Sequence, residues 1–288
     1  MSLLTARQKG FWASNKWLLL RRSSQLTVLG LFLLGPLAGV WLIKGNLSSS
    51  LLLETVPMSD PYLLLQVLLT GHLPETAALI GGLIVVVFYL LVGGRSYCSW
   101  VCPLNMVTDG ASWLQRRLAI QPRSSLSRNS RFWLLAMTLL LALFSGSLLW
   151  ELVNPVTLIQ RGLVYGSVAV WGPILALFLY ELLISQRGWC SRLCPTGAFY
   201  SLLTLRAPLR VNAPKRSACD DCMDCFKVCP EPQIIKPVVK GAPGSSTLID
   251  SSVCTNCGRC IDVCNQYVFQ FSTRLKGREN PVNGEASS

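Results

Sequence analysis

The chain has 288 residues, 51% hydrophobic and only 14% charged, with 26 Lys and Arg against 14 Asp and Glu and a single His. A soluble domain carries about 25% charged residues, so this composition argues against an ordinary soluble globular protein and for a large lipid-facing surface. The formal charge of +12 does not read as a nucleic-acid footprint, because the basic residues flank apolar runs and form no aromatic-interleaved patch.

Residues 1–25 carry Arg7, Lys9, Lys16, Arg21 and Arg22 ahead of the first apolar run. A signal peptide begins in a similar way, but this run is too long for its apolar region and no small-residue cleavage site follows, so the segment reads as an uncleaved anchor. A spanning helix needs roughly 20 predominantly apolar residues. Residues 26–43, 77–92, 132–150 and 163–184 qualify, with Glu181 the one charge in the last. Lys and Arg number five before the first run, one in 44–76, six in 93–131, one in 151–162 and thirteen after the fourth. The positive-inside rule then places both termini in the cytoplasm of a multi-pass inner-membrane protein and turns the two sparse loops outward.

Arg95-Ser-Tyr-Cys98-Ser-Trp-Val-Cys102-Pro103 aligns with Arg187-Gly-Trp-Cys190-Ser-Arg-Leu-Cys194-Pro195. Each copy follows an even-numbered apolar run, so residues 26–206 read as two repeated helix pairs, a membrane all-α domain of four transmembrane helices. Cysteines four apart on a helix share a face. Cys98, Cys102, Cys190 and Cys194 are therefore candidates for a further metal centre, with a redox-active dithiol pair and a structural Cys-Pro motif as the alternatives.

The polar tail carries Cys219, Cys222, Cys225 and Cys229-Pro230, and the same spacing recurs at Cys254, Cys257, Cys260 and Cys264. This is the run of two-cluster bacterial ferredoxins, in which the fourth Cys ligates the other cluster. Two [4Fe–4S] clusters are expected, one held by Cys219, Cys222, Cys225 and Cys264, the other by Cys254, Cys257, Cys260 and Cys229. Zinc is the competitor, but its ligands come as two pairs. Asn265 stands where a second Pro is expected, and residues 231–253 form a long connector containing Gly241-Ala-Pro-Gly-Ser-Ser246, an exposed loop by composition. Residues 207–275 thus read as a cytoplasmic α+β ferredoxin-like domain, followed by a polar tail at 276–288.

Iron–sulfur cubanes pass single electrons. Tied to a membrane domain, a pair of them implies a relay from a donor dissolved in the bilayer, and a quinol from the membrane quinone pool is the natural one. Its protons need an acceptor on the outward side, where His72, Glu54, Asp60, Glu75 and Glu151 are the candidates. The sequence holds no nucleotide, flavin or molybdenum motif and no CxxCH haem site, so reduction of a terminal substrate requires a partner.

The four apolar runs, the two CxxxCP motifs and the two-cluster tail together resemble the NapH family, the membrane quinol dehydrogenase component of periplasmic nitrate reductase systems. The resemblance extends to residues 51–61, Gly71-His-Leu-Pro74, Trp150-Glu-Leu-Val-Asn-Pro155 and residues 222–232. It implies oxidation of ubiquinol or menaquinol and delivery of electrons, with a periplasmic iron–sulfur partner of the NapG type, toward nitrate reductase. The CxxxCP motifs are also similar to those of NosR relatives and of CcoG-type oxidase assembly proteins. A membrane-bound metal or thiol reductase acting in metalloenzyme assembly is therefore the second expectation.

Overall fold

The computed structural model describes residues 9–120, 126–241 and 245–275. Arg7, residues 242–244 of the connector and the tail at 276–288 lie outside the described residues. The fold is mostly helical, and the chain packs as two units.

One unit comprises residues 24–88 and 101–200. The run expected to start at residue 26 belongs to a longer helix, Phe11–Ala38, because Lys16, Arg21 and Arg22 are good helix formers although they are not apolar. It ends at Gly39, whose φ of +71° favours glycine. Residues 40–43, expected to be helical, leave it: Trp41 folds back over Gly35, where a Cβ would stand 2.5 Å from the indole. An unforeseen three-stranded antiparallel sheet follows, Ile43–Gly45, Ser49–Leu52 and Val56–Ser59. Its second turn holds Leu53 and Glu54 at φ +51° and +58°, a left-handed pair typical of tight hairpins.

Asp60-Pro61 and Asn154-Pro155 each start a helix in the same way. The Asp60 and Asn154 side chains accept from the backbone N–H two residues on, and Pro occupies the first turn of Pro61–Leu69 and Pro155–Tyr165. The helix Thr76–Val92 matches its expected run closely. Ser130–Ser145 is shorter than expected because Gly146 terminates it in a left-handed cap. The fourth run is broken: Pro155–Tyr165 ends at Gly166 with φ +63°, and the chain restarts through Val168–Val170 into Trp171–Leu183. Phe11–Ala38 alone among the described helices has the length and composition to cross a membrane, while Thr76–Val92, Ser130–Ser145 and Val168–Leu183 are shorter apolar helices.

The other unit comprises, among the described residues, 9–23, 89–100, 201–241 and 245–275. Strands Leu209–Asn212 and Gln270–Thr273 pair antiparallel, Val211 opposite Phe271. Val211, Ile235, Ile249, Val268 and Phe269 form a core, and Cys219, Cys225, Cys254, Cys260 and Cys264 pack into it.

Candidate functional site

Both Cys-rich runs of the tail build the same local structure. Asp221 and Met223 have positive φ in the first, Asn256 and Gly258 at the same places in the second. Residues of alternating hand curl the chain into a concave loop whose N–H groups face inward. Each loop then enters a five-residue helix, Asp224–Val228 or Arg259–Val263, and its fourth Cys, Cys229 or Cys264, is extended.

The thiols of the two runs lie close enough to act on one another electrostatically. Burial pushes the Cys225 thiol up to about 12, and negative charge at Cys264, Cys222 and Cys219 adds to it. Cys260 is driven well above the ordinary thiol value, first by burial and then by Cys257, Cys229, Cys254 and Cys225. Cys229, Cys254, Cys257 and Cys260 line one cavity, with Glu231 and Arg259 in its wall. Crowded, buried thiols resist ionisation as bare anions, and a cationic multi-iron group relieves that penalty, so these residues fit such a group. Among the described residues no three His, Cys, Asp or Glu side chains gather as a single-ion site.

The surroundings of the two runs differ. Cys222 is exposed, and Asp220, Asp221 and Asp224 surround it in sequence. Cys254 and Cys257 are buried. Burial lifts Cys254 to about 11, with Cys257 adding to it, while the Asn256 N–H, Arg210 and Arg95 oppose the rise. At Cys257 burial also raises the thiol, but Arg259 and Arg21 bring it below its ordinary value.

Residues far away in sequence wall in the second loop. Arg95 Nη1 donates to Glu231 Oε1 at 3.1 Å and to the Val253 carbonyl at 2.8 Å, both side chains buried. Ser99 Oγ donates to the Thr255 carbonyl at 2.7 Å and Trp100 Nε1 to the Asn256 carbonyl at 3.0 Å. The Asp262 carboxylate accepts the backbone N–H groups of Trp17 and Leu18. Trp17 packs edge-on against Trp100 and Phe271.

The CxxxC cysteines do not sit on continuous helix. Cys98 lies on Ser96–Trp100, and Cys190 on the π-helical turn Trp189–Leu193; Cys102 and Cys194 fall just beyond, before a Pro. A residue preceding Pro is disfavoured in helical geometry, which is why the shared helical face expected for each pair does not form. Cys98 belongs to the unit with the tail, and Cys102, Cys190 and Cys194 to the other. Thr108 Oγ1 lies 3.9 Å from Cys190 Sγ, and the Gly197 N–H donates to Cys194 Sγ at 3.4 Å. All twelve cysteines are among the described residues, and none is in a disulfide.

Of the five acidic and His candidates for proton acceptor, the structure gathers two. Asp60 Oδ1 accepts from the Tyr62 N–H at 3.0 Å and the Tyr200 hydroxyl at 3.1 Å. Burial raises its carboxyl to about 6, these donors oppose the rise and Glu151 adds to it. Glu151 Oε1 accepts from Thr157 Oγ1 at 2.8 Å and Ser48 Oγ at 3.1 Å. The Ser48 carbonyl accepts the Asp60 N–H. His72, Glu54 and Glu75 are exposed, and His72 meets only Thr70 Oγ1 at 3.3 Å among the hydrogen bonds of the described residues. Sequence reasoning missed Tyr200, Gln66, Trp150 and Trp189. Trp150 and Trp189 stack at 6.4 Å; their indole nitrogens and both polar atoms of Gln66 are buried without a hydrogen-bond partner among the described residues. The Asp-Pro and Asn-Pro caps were the available signal for this region.

Comparison with known proteins identifies iron–sulfur domains in both Cys-rich parts of the chain. A family model described as a 4Fe-4S binding domain matches residues 75–121 and again 165–212, covering both CxxxCP copies. A 4Fe-4S dicluster domain matches residues 218–268. The methylamine utilization ferredoxin-type protein MauN of Methylorubrum extorquens is 49% identical over 266 residues, 92% of each chain. The ferredoxin-type protein NapH is 47% identical in Haemophilus influenzae, over 94% of each chain, and 48% identical in Escherichia coli, over 93% of each. No solved structure matches the chain. Identity of this extent along nearly the whole length places the chain in the NapH/MauN family of ferredoxin-type, 4Fe-4S electron-transfer proteins.

Proposed function

We propose that this chain is the membrane subunit of a quinol dehydrogenase, taking electrons from ubiquinol or menaquinol and passing them on through two iron–sulfur clusters. The observation that carries the reading is that thiols of both runs meet at one core, where Cys264 acts on Cys225 and Cys229 on Cys260. Cys219, Cys222, Cys225 and Cys264 hold one cluster, and Cys254, Cys257, Cys260 and Cys229 the other. When bound, each cluster supplies reversible one-electron storage.

The membrane reading of four spans, with both termini cytoplasmic, draws support from the basic-residue asymmetry and from the apolar side chains that the helices leave exposed. Leu79, Ile80, Leu83, Val87, Leu140, Phe144, Leu175 and Leu179 are all exposed, and exposed apolar helix surface on this scale calls for lipid or protein cover. Quinol oxidation draws support from the Asp60, Tyr200 and Glu151 network, with the unpartnered Gln66 and Trp150 groups in the same unit as donors and acceptors suited to a quinol head. Asp60 is the proton acceptor in this reading: a base poised near the working pH suits that role. His72, Glu54 and Glu75, exposed and away from this network, carry no part in it. Relatives named NapH and MauN are equally similar, so the shared electron-transfer step is the core of the proposal. A periplasmic iron–sulfur partner of the NapG type, and nitrate reductase beyond it, are the destination that the resemblance to the NapH family implies.

The test is reduction of anaerobically purified protein in lipid by a short-chain quinol, followed as bleaching of the cluster absorbance. Asp60→Asn is expected to slow it by about 10²-fold without loss of iron. A carboxyl raised to about 6 favours the folded state in its protonated form; that contribution is complete below pH 3.8 and is lost as pH rises through 6. The ionised base is the working form, so the wild-type rate is expected to fall below pH 6. Failure of any quinol to bleach iron-loaded protein contradicts the proposal, and maturation of a metalloenzyme lost with Cys98→Ala while quinol oxidation persists favours the assembly-reductase reading.

A further inference from the structure

The two copies of the CxxxCP repeat have diverged in what they hold. In the second copy, Arg187 pairs with Asp109 at 3.4 Å, and the Trp189 N–H is accepted by Glu181 at 2.7 Å, all within residues 101–200. In the first copy, Arg95, Ser99 and Trp100 each donate to the stretch around Cys254 and Cys257. Three hydrogen bonds, to the carbonyls of Val253, Thr255 and Asn256, leave little freedom in the loop that carries those two thiols. Asn256 completes the clamp by donating Nδ2 to the Val92 carbonyl at 3.0 Å and to the Leu209 carbonyl at 3.2 Å. Glu231, the buried partner of Arg95, lines the same cavity as Cys229, Cys254, Cys257 and Cys260.

We propose that the segment Arg95 to Trp100, together with Glu231, is a positioning and tuning device for the cluster held by Cys254, Cys257, Cys260 and Cys229, setting its reduction potential apart from that of the other cluster. The proposal rests on the iron–sulfur reading above and not on the identity of the electron donor. Its physical basis is charge in a buried place. Reduction adds one negative charge to a cluster, which a neighbouring guanidinium favours and a neighbouring carboxylate opposes, and burial strengthens both effects. The hydrogen bonds from Ser99 and Trp100 fix the loop carbonyls and with them the distance over which these charges act. Among the described residues, the loop between Cys219 and Cys225 is met by ion pairs at the surface, Lys227 with Asp224 and Lys240 with Asp221.

An EPR-monitored redox titration of anaerobically purified full-length protein tests this. The signal that survives Cys222→Ser identifies the second-loop cluster. Arg95→Gln is expected to make that cluster about tenfold harder to reduce, and Glu231→Gln about tenfold easier, ~59 mV in opposite directions for a one-electron couple. Arg95→Lys should restore most of the wild-type value, and the other signal should stay in place throughout. Trp100→Phe keeps a ring of similar bulk and removes only the N–H donor; it should shift the same signal alone, and with Glu231→Gln it carries the test if Arg95→Gln does not fold. Shifts of the same sign in the two charge variants, equal movement of both signals, or unmoved potentials at full iron content overturn the proposal. Wild-type protein without iron overturns the iron–sulfur reading itself, a result distinct from any of these.

Discussion

The loops at residues 219–229 and 254–264 share a backbone and little else. Their spacing, their paired left-handed residues and their short helices coincide, so the architecture follows from where the cysteines fall. One loop exposes Cys222 among carboxylates; the other buries Cys254 and Cys257 against Arg95, Arg210, Arg259 and Arg21. Local sequence thus dictates the shape of a cluster-binding loop, while distant residues dictate its electrostatics.

The largest expected difference comes from removing one thiol from each loop. Cys257→Ser takes a ligand from a buried set and is expected to halve the iron content and lower the unfolding temperature steeply, whereas Cys222→Ser should affect only its own cluster and leave the unfolding temperature close to wild type. Iron analysis and thermal unfolding read both, and equal destabilisation would break the comparison. The ion pairs should follow the same contrast. Glu231→Ala leaves the Arg95 guanidinium buried without its carboxylate, a loss of about 3–5 kcal/mol, while Lys227→Ala at the surface costs at most about 0.5 kcal/mol. Chemical unfolding midpoints measure the difference.

A sharper test uses equivalent backbone positions. Gly258 has φ +70°, and a Cβ there would stand 2.6 Å from Trp17 Cγ. Gly258→Ala combines left-handed strain with that clash and is expected to cost about 2 kcal/mol or more. Met223 already bears the strain at φ +63°, so Met223→Gly should be stabilising or neutral, within about 1 kcal/mol. Destabilisation by both substitutions would show that the loops are not equivalent in backbone.

The eight-cysteine spacing, the internal repeat and the helix Thr76–Val92 were legible in the sequence because each depends on residues close together in the chain. Hydropathy misplaced the ends of Phe11–Ala38, since a helix continues through Lys16, Arg21 and Arg22 whatever their polarity, and it ran through the break at Gly166 because an apolar run carries no mark of its own kink. The strands between Ile43 and Ser59 hide among short stretches whose pairing depends on turns. Arg95 with Glu231, and Asp60 with Tyr200, are separated by 136 and 140 residues; no local pattern announces such pairs. Of the proton-acceptor candidates, Asp60 and Glu151 share a network, while the lone His, conspicuous by composition, is exposed.

Iron and acid-labile sulfide per chain, measured on anaerobically purified wild-type protein and on Cys222→Ser, bear most directly on the paired cluster loops. About eight of each is expected in the wild type, with more if the CxxxCP cysteines also hold a centre, and about four retained in the variant at the buried loop. Zinc in place of iron, or loss of all iron on changing the one exposed thiol, would contradict two separately held clusters.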